Sequence, residues 1–124
     1  MKLVDSTVVI DHLRGRTAAT DVLRSAFGSG EPVGASEIVR FEVLAVQNRE
    51  LEETERFLST LSWVVVDEQI ARLAGWLSRR FRRSHAGIDA PDYLIAATAV
   101  ALDADLLTTN TKHFPMLEGL AAAY

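Results

Sequence analysis

Asp89-Ala90-Pro91-Asp92-Tyr93-Leu94-Ile95-Ala96-Ala97-Thr98-Ala99-Val100-Ala101-Leu102, followed after Asp103-Ala104-Asp105 by Leu106-Leu107-Thr108, decides how this chain folds. Aspartate before proline marks a helix start, and the apolar residues predict a helix to Leu102. Leu106-Leu107-Thr108 predicts a strand. A helix that leads straight into a strand it packs on must run antiparallel to it. The helix N-terminus and the strand's carboxyl end therefore share one edge. Asp92 lies on the face of Ile95, Ala96 and Ala99, at i+3, i+4 and i+7, and so points at the sheet. The small Ala96, Ala97 and Ala99 let this helix sit close to its neighbours.

Working outward, the same alternation recurs. Leu3-Val4 predicts a short buried strand, and Asp5-Ser6-Thr7 leads into a helix that ends at Gly15. Thr17 caps a second helix, stopped by Gly28-Ser29-Gly30. Pro32-Val33-Gly34-Ala35 is a second strand. Ser36 caps a helix running to about Asn48, and another from Leu51 to Leu61 completes a helical hairpin. Trp63-Val64-Val65-Val66 reads as the clearest strand, and Asp67 caps the amphipathic helix of Ile70, Leu73, Ala74, Leu77 and Phe81. Leu120-Ala121-Ala122-Ala123 offers a fifth strand at an edge. Strands that alternate with helices require crossovers, so the class is α/β: a three-layer α/β/α arrangement around a parallel sheet of four or five strands. Residues 1–124 are expected to form a single domain.

Composition narrows the chemistry. The 124 residues contain no cysteine, which removes disulfides, thiolate nucleophiles and sulfur-built zinc sites. Any metal must sit among oxygens and at most three histidines. The start, Met1-Lys2-Leu3-Val4-Asp5, has no apolar leader, and no stretch is long enough for a membrane span, so a cytoplasmic protein without membrane contact is expected. A net charge of −4 argues weakly against a polyanion partner. The positive residues cluster, however, in Ser78-Arg79-Arg80-Phe81-Arg82-Arg83. That run suits a solvated helix end that complements the helix dipole, and equally a phosphate footprint made of Arg79, Arg80, Arg82 and Arg83.

Three acids stand out. Asp5 follows the first strand at its carboxyl edge, where a plain helix N-cap is the simpler explanation. Glu42 projects from the apolar face of its helix with Val39, Val43 and Val46. Carboxylates are rarely buried unpaired, so Glu42 needs either an arginine or a cation. Asp92 reaches the same edge as Asp5, although a first-turn acid also suits the helix dipole. Asp103 and Asp105 precede the fourth strand and fall at the opposite edge, whereas Thr108 and Asn110 follow it and return. Asp89 reads as the cap of the helix that carries Asp92. Carboxylates crowded at one edge would raise each other's pKa unless a divalent ion sits among them, and oxygen ligands suit Mg²⁺ or Mn²⁺. Such an ion activates water and neutralises phosphoryl charge, which points to phosphodiester hydrolysis.

Leu3-Val4-Asp5-Ser6-Thr7, Arg40-Phe41-Glu42-Val43-Leu44, Pro91-Asp92-Tyr93-Leu94-Ile95-Ala96-Ala97-Thr98-Ala99, and Leu106-Leu107-Thr108-Thr109-Asn110 followed by His113-Phe114 resemble the ordered motifs of the PIN-domain family, VapC-type toxins especially. The resemblance spans nearly the whole chain. It implies an endoribonuclease toxin that uses Mg²⁺ or Mn²⁺, cleaves RNA, with transfer RNA among the targets, and is neutralised by a VapB-type antitoxin. By motif, Asp5, Glu42 and Asp92 match the metal-binding acids, and Ser6 and Thr108 are supporting hydrogen-bond residues. Many members carry aspartate at the fourth acidic place, where this chain has Asn110, which adds no charge. A catalytically weak RNA- or protein-binding module is the alternative this departure suggests. His113, beside Phe114 and Pro115, reads as a structural turn residue, and His12 and His85 receive no role. The helical hairpin between Ile38 and Leu61 is the expected surface for a homodimer or for antitoxin docking.

Overall fold

Four parallel strands, β1 (Lys2–Val4), β2 (Val33–Ser36), β3 (Ser62–Val64) and β4 (Asp105–Leu107), form a sheet ordered β3-β2-β1-β4 in the computed structural model, which describes residues 1–46 and 50–124. Leu3 stands opposite Gly34 on one side and Leu106 on the other, and Ser36 opposite Val64. All the strands point the same way, so their carboxyl ends, and whatever follows them, meet at one edge. The order reverses at β1, which puts β1 and β4 side by side although about a hundred residues separate them.

Six helices connect and cover the strands: α1 (Ser6–Leu13), α2 (Thr17–Phe27), α3 (Glu37–Ala45), α4 (Leu51–Leu58), α5 (Glu68–Phe81) and α6 (Ala90–Leu102). Successive residues of β2 point to opposite faces, yet all four are buried, so both faces of the sheet are covered. Leu3 and Val4 of β1 are likewise only 1% exposed. Val8 and Val9 of α1, Val39 and Val43 of α3, and Ile95, Ala96, Ala97 and Ala99 of α6 complete this core. Each large aliphatic side chain buried in this way contributes roughly 1.5–3 kcal/mol. The alanines of α6 contribute differently, by letting its backbone approach the sheet and bring its first turn to the carboxyl edge.

The structure departs from the sequence reading at several ends. The tail adds no fifth strand; it returns to the sheet edge through one backbone bond, Ala123 N to Thr108 O at 2.8 Å. β3 stops at Val64, and Val65 and Val66 are exposed, because β2 ends at Ser36 and offers nothing further to pair with. Helix α3 ends at Ala45, and the part of its expected extent beyond Val46 lies outside the described residues. Helix α4 closes at Leu58 rather than Leu61. There the hydroxyls of Ser59 and Thr60 turn back onto the carbonyls of Arg56 and Phe57 at 2.6 and 2.7 Å, which competes with helix continuation. Arg40, which the helical wheel leaves on the solvent side, spans Glu37 and the face of the Trp63 ring, 4.0 Å from its centroid, and fastens α3 to β3.

Gly34 is the tightest point of the sheet. A Cβ there would fall on the Ser62 carbonyl and the Met1 side chain, so only glycine lets β1, β2 and β3 lie in register. Gly34→Ala is expected to lower stability by roughly 1–3 kcal/mol, as overpacking does. Urea denaturation measures it, and an unchanged midpoint would contradict the close approach.

Candidate active site

The carboxyl edge carries a concave cavity of about 200 Å³ lined by Asp5, Ser6, Thr7, Glu42, Asp89, Pro91, Asp92, Asn110 and His113. Four segments far apart in sequence build it. Asp5 directly follows β1, Glu42 lies in the second turn of α3, Asp92 in the first turn of α6, and Asn110 just past β4. The three acids singled out in the sequence therefore share one cavity with Asn110. Asp105 stays at the opposite edge, where Lys2 approaches it at 3.7 Å.

Asp5 is 3% exposed and held by three donors. Its Oδ1 accepts from Ser6 N at 2.8 Å, so it does cap α1. Its Oδ2 accepts from Thr7 Oγ1 at 3.2 Å and from the fully buried Thr108 Oγ1 at 2.7 Å. Thr108 Oγ1 in turn accepts from Asn110 N at 3.0 Å, which fixes the turn that presents the Asn110 amide. The N-cap and site readings of Asp5 are thus compatible: one oxygen caps the helix, and the other is oriented from β4.

Glu42 is the unsatisfied member. Its Oε1 is buried with no hydrogen-bond partner, and among the described residues it makes no ion pair; the arginine nearest to it in sequence, Arg40, is taken by Glu37 at 2.8 Å. The salt-bridge alternative therefore finds no partner here. Burial pushes the Glu42 carboxyl above its usual range, the Ser6 hydroxyl pulls it partly back, and the charges of Asp5 and Asp92 push it up again. Burial also raises Asp92, against the Asp89 backbone N–H and His113 that favour its charged form, while Asp5 adds to the rise. The Asp89 N–H donates to Asp92 Oδ2 at 3.3 Å, and His113 Nδ1 lies 3.0 Å from the same oxygen.

His113 is the residue that sequence reasoning undervalued. It does sit in a turn, the single 3₁₀ turn Thr111–His113, but that turn delivers its ring to Asp92 and to the cavity wall. Spacing offered no signal, because the partner is twenty-one residues away on another element. Thr7 was passed over likewise. His12, given no role, meets Thr20 Oγ1 at 2.7 Å and stacks near Phe57, away from the cavity.

The donor set can be tested against a divalent ion. All its charged donors are oxygens, one of them an orphaned buried carboxylate oxygen, which suits a hard cation. Among the described residues no three acidic or histidine side chains stand in a cluster that could enclose an ion by themselves. Mg²⁺ keeps several waters and commonly takes only one or two carboxylates, so an open cavity fits it better than a closed cage.

Comparison with known proteins places this geometry. The model of the PIN domain matches residues 2–119. Ribonuclease VapC19 of Mycobacterium tuberculosis is 54% identical over the whole of both chains. Ribonuclease VapC10 of the same species is 46% identical over 97% of this chain and 90% of its own. Among solved structures, a toxin–antitoxin complex from Klebsiella pneumoniae aligns with a TM-score of 0.83 at 28% identity, covering 100% of this chain and 98% of that one.

The raised carboxyls make a prediction about the metal-free protein. Above the ordinary value of 4.5 for Glu42, and up to its raised folded value, the native state keeps a proton that the unfolded chain has lost, so this group's contribution to stability falls as pH rises through that window. Glu42→Gln removes that term. Denaturation midpoints measured from pH 4 upward in chelator should move in the variant's favour as pH rises; a constant difference would show that Glu42 is not destabilised by burial and its acidic neighbours.

Proposed function

The chain belongs to the PIN-domain family, and on that premise we propose that it is a metal-dependent endoribonuclease of VapC type, the toxin of a toxin–antitoxin pair neutralised by a cognate VapB-type antitoxin. The observation that carries this reading is the convergence of Asp5, Glu42, Asp92 and Asn110 on one cavity at the carboxyl edge, in a chain 54% identical, end to end, to a protein named as a ribonuclease. RNA is the substrate class, with transfer RNA among its members by family resemblance.

In this reading Asp5, Glu42 and Asp92 hold Mg²⁺ or Mn²⁺, which supplies an activated water and offsets charge on the phosphoryl oxygens. The protein's own part is positioning. Thr108 and Thr7 hold one oxygen of Asp5, and Ser6 N holds the other. His113 and the Asp89 N–H orient Asp92. The Asn110 amide contributes an oxygen without a charge, and Ser6 moderates Glu42. Arg79, Arg80, Arg82 and Arg83 are exposed and make no ion pair among the described residues, which leaves them available to phosphates. Exposed Phe41 and Leu44 on α3 and Leu51 on α4 provide the apolar surface that an antitoxin or a second copy would cover. Among the described residues no helix is long and apolar enough to cross a membrane.

Purified protein should cleave RNA with Mg²⁺ or Mn²⁺ and stop in EDTA, while Asp92→Asn and Glu42→Gln drop to background yet melt no lower than the parent without metal. Full cleavage in chelator would end the metal mechanism. Cleavage retained alongside a large loss of stability would make both acids structural.

Asn110 gives a second test. A carboxylate there adds a charge beside the proposed ion, so Asn110→Asp should lower the metal concentration needed for half-maximal cleavage, whereas Asp105→Asn at the far edge should leave it unchanged. An altered requirement in the control alone would misplace the site.

A further inference from the structure

A second cavity, about 390 Å³, lies between α5 and α6. Its walls are mostly small: Ala71, Ala74, Gly75 and Ser78 on one side, Ala90 on the other. It shares no lining residue with the acidic cavity, but neighbouring residues at the start of α6 line the two. Ala90, Tyr93 and Leu94 of α6 line it, while Asp89, Pro91 and Asp92 of the same turn line the acidic cavity.

Two features mark this space. Gly75 sits in the interior of α5, where glycine weakens a helix. The usual excuse is close approach by another backbone, but a Cβ at Gly75 would meet nothing within 4 Å. Gly75 is exposed, so the cavity is open to solvent on this side. Tyr93, 4% exposed, carries a hydroxyl that has no hydrogen-bond partner among the described residues. A buried donor without an acceptor is costly unless something else supplies one.

The outer rim gives the occupant its chemistry. Gly75, Ser78 and Arg82 also border a surface hollow that continues to Arg72, Arg79 and the half-exposed Trp76. An acidic cavity and a largely apolar slot thus flank the start of α6, and the slot shares Gly75, Ser78 and Arg82 with an arginine-rich rim that carries an exposed indole. Phosphate, base and phosphate follow one another along an unpaired strand. We infer that the slot between α5 and α6 is a nucleobase subsite, taking one unpaired base next to the cleaved phosphate, with the strand leaving across Arg82 toward Trp76. The inference rests on the ribonuclease reading and adds to it the means by which one base is selected.

Two variants test it. Gly75→Leu fills the slot from a position with room for the side chain, and Tyr93→Phe removes only the hydroxyl. Both should melt at or above the parent temperature. The probes are short single-stranded oligoribonucleotides carrying the cleavage site, either intact or abasic at the residue beside it, and 2′-O-methyl versions for equilibrium binding in EDTA. The parent should prefer the intact oligonucleotide over the abasic one by about tenfold in kcat/KM and in affinity, the scale of one base contact. In Gly75→Leu that preference should collapse toward unity, mainly through KM and binding. Tyr93→Phe should keep the preference for a base but lose discrimination among the four. Equal discrimination in parent and Gly75→Leu would overturn the subsite while leaving the ribonuclease intact. A parent that cleaves no RNA with either metal would overturn the underlying reading, and the subsite with it. Loss of antitoxin binding in Gly75→Leu, with cleavage preferences unchanged, would give the slot to the protein partner and also defeat the inference.

Discussion

The hydroxyl of Thr108 donates to Asp5 across 2.7 Å of buried space, and the rest of the site depends on that contact. Asp5 is 3% exposed, a condition no carboxylate tolerates without donors. Two donors, Ser6 N and the Thr7 hydroxyl, come from its own helix, and the third comes from just past β4, over a hundred residues later. Parallel pairing of β1 with β4 makes this possible, since Lys2, Leu3 and Val4 stand opposite Asp105, Leu106 and Leu107, so that the next residues on both strands emerge together. The same bond positions Asn110, whose N–H returns to Thr108. One hydroxyl thereby sets the direction of one carboxylate and the height of one amide.

Glu42 and Asp92 are held differently, and this difference gives the cavity its unbalanced electrostatics. Burial raises both carboxyls, but Asp92 has a histidine and a backbone N–H to favour its charge, whereas Glu42 has only the Ser6 hydroxyl against burial and two acidic neighbours. An arrangement selected only for stability would give Glu42 an arginine or replace it by leucine, because a buried unpaired acid costs more than an apolar residue of similar size. Arg40 is two residues away and is spent on Glu37 and Trp63 instead. The raised carboxyl of Glu42 is therefore the feature that packing does not explain and that the proposed cation would.

How much was legible in the sequence follows from where each signal resides. The edge on which Asp5 and Asp92 meet could be read because it depends on connectivity alone: a strand followed by Asp5, and a helix feeding a strand with Asp92 in its first turn. Glu42 could be read because its neighbours on the helix face are apolar. The fifth strand failed because Leu120 to Ala123 have the composition of an edge strand but find only one backbone partner. Trp63-Val64-Val65-Val66 overran because β propensity cannot tell where the neighbouring strand stops. His113 was hidden for a more general reason. Its partner is set by the fold, and a turn histidine that meets a carboxylate has the same local sequence as one that meets water.

Net charge was the strongest objection to an anionic substrate, and the distribution of charge weakens it without removing any residue from the count. The chain's acids exceed its bases by four, yet four of the acids, Asp5, Glu42, Asp89 and Asp92, line a single cavity where the proposed ion would offset them. Several others lie exposed on α4, with Glu52 near Arg56, far along the chain from the arginine cluster. Screening over roughly 8–10 Å at ordinary ionic strength means that a strand approaching the end of α5 responds to Arg79, Arg80, Arg82 and Arg83 more than to the distant acids. A protein with negative overall charge can thus keep a positive patch at the end of one helix, while the proposed cation would make the acidic cavity itself hospitable to phosphate. Substrate attraction and metal occupancy are then linked: without the ion, the same carboxylates that would organise the reaction repel the phosphate brought to them.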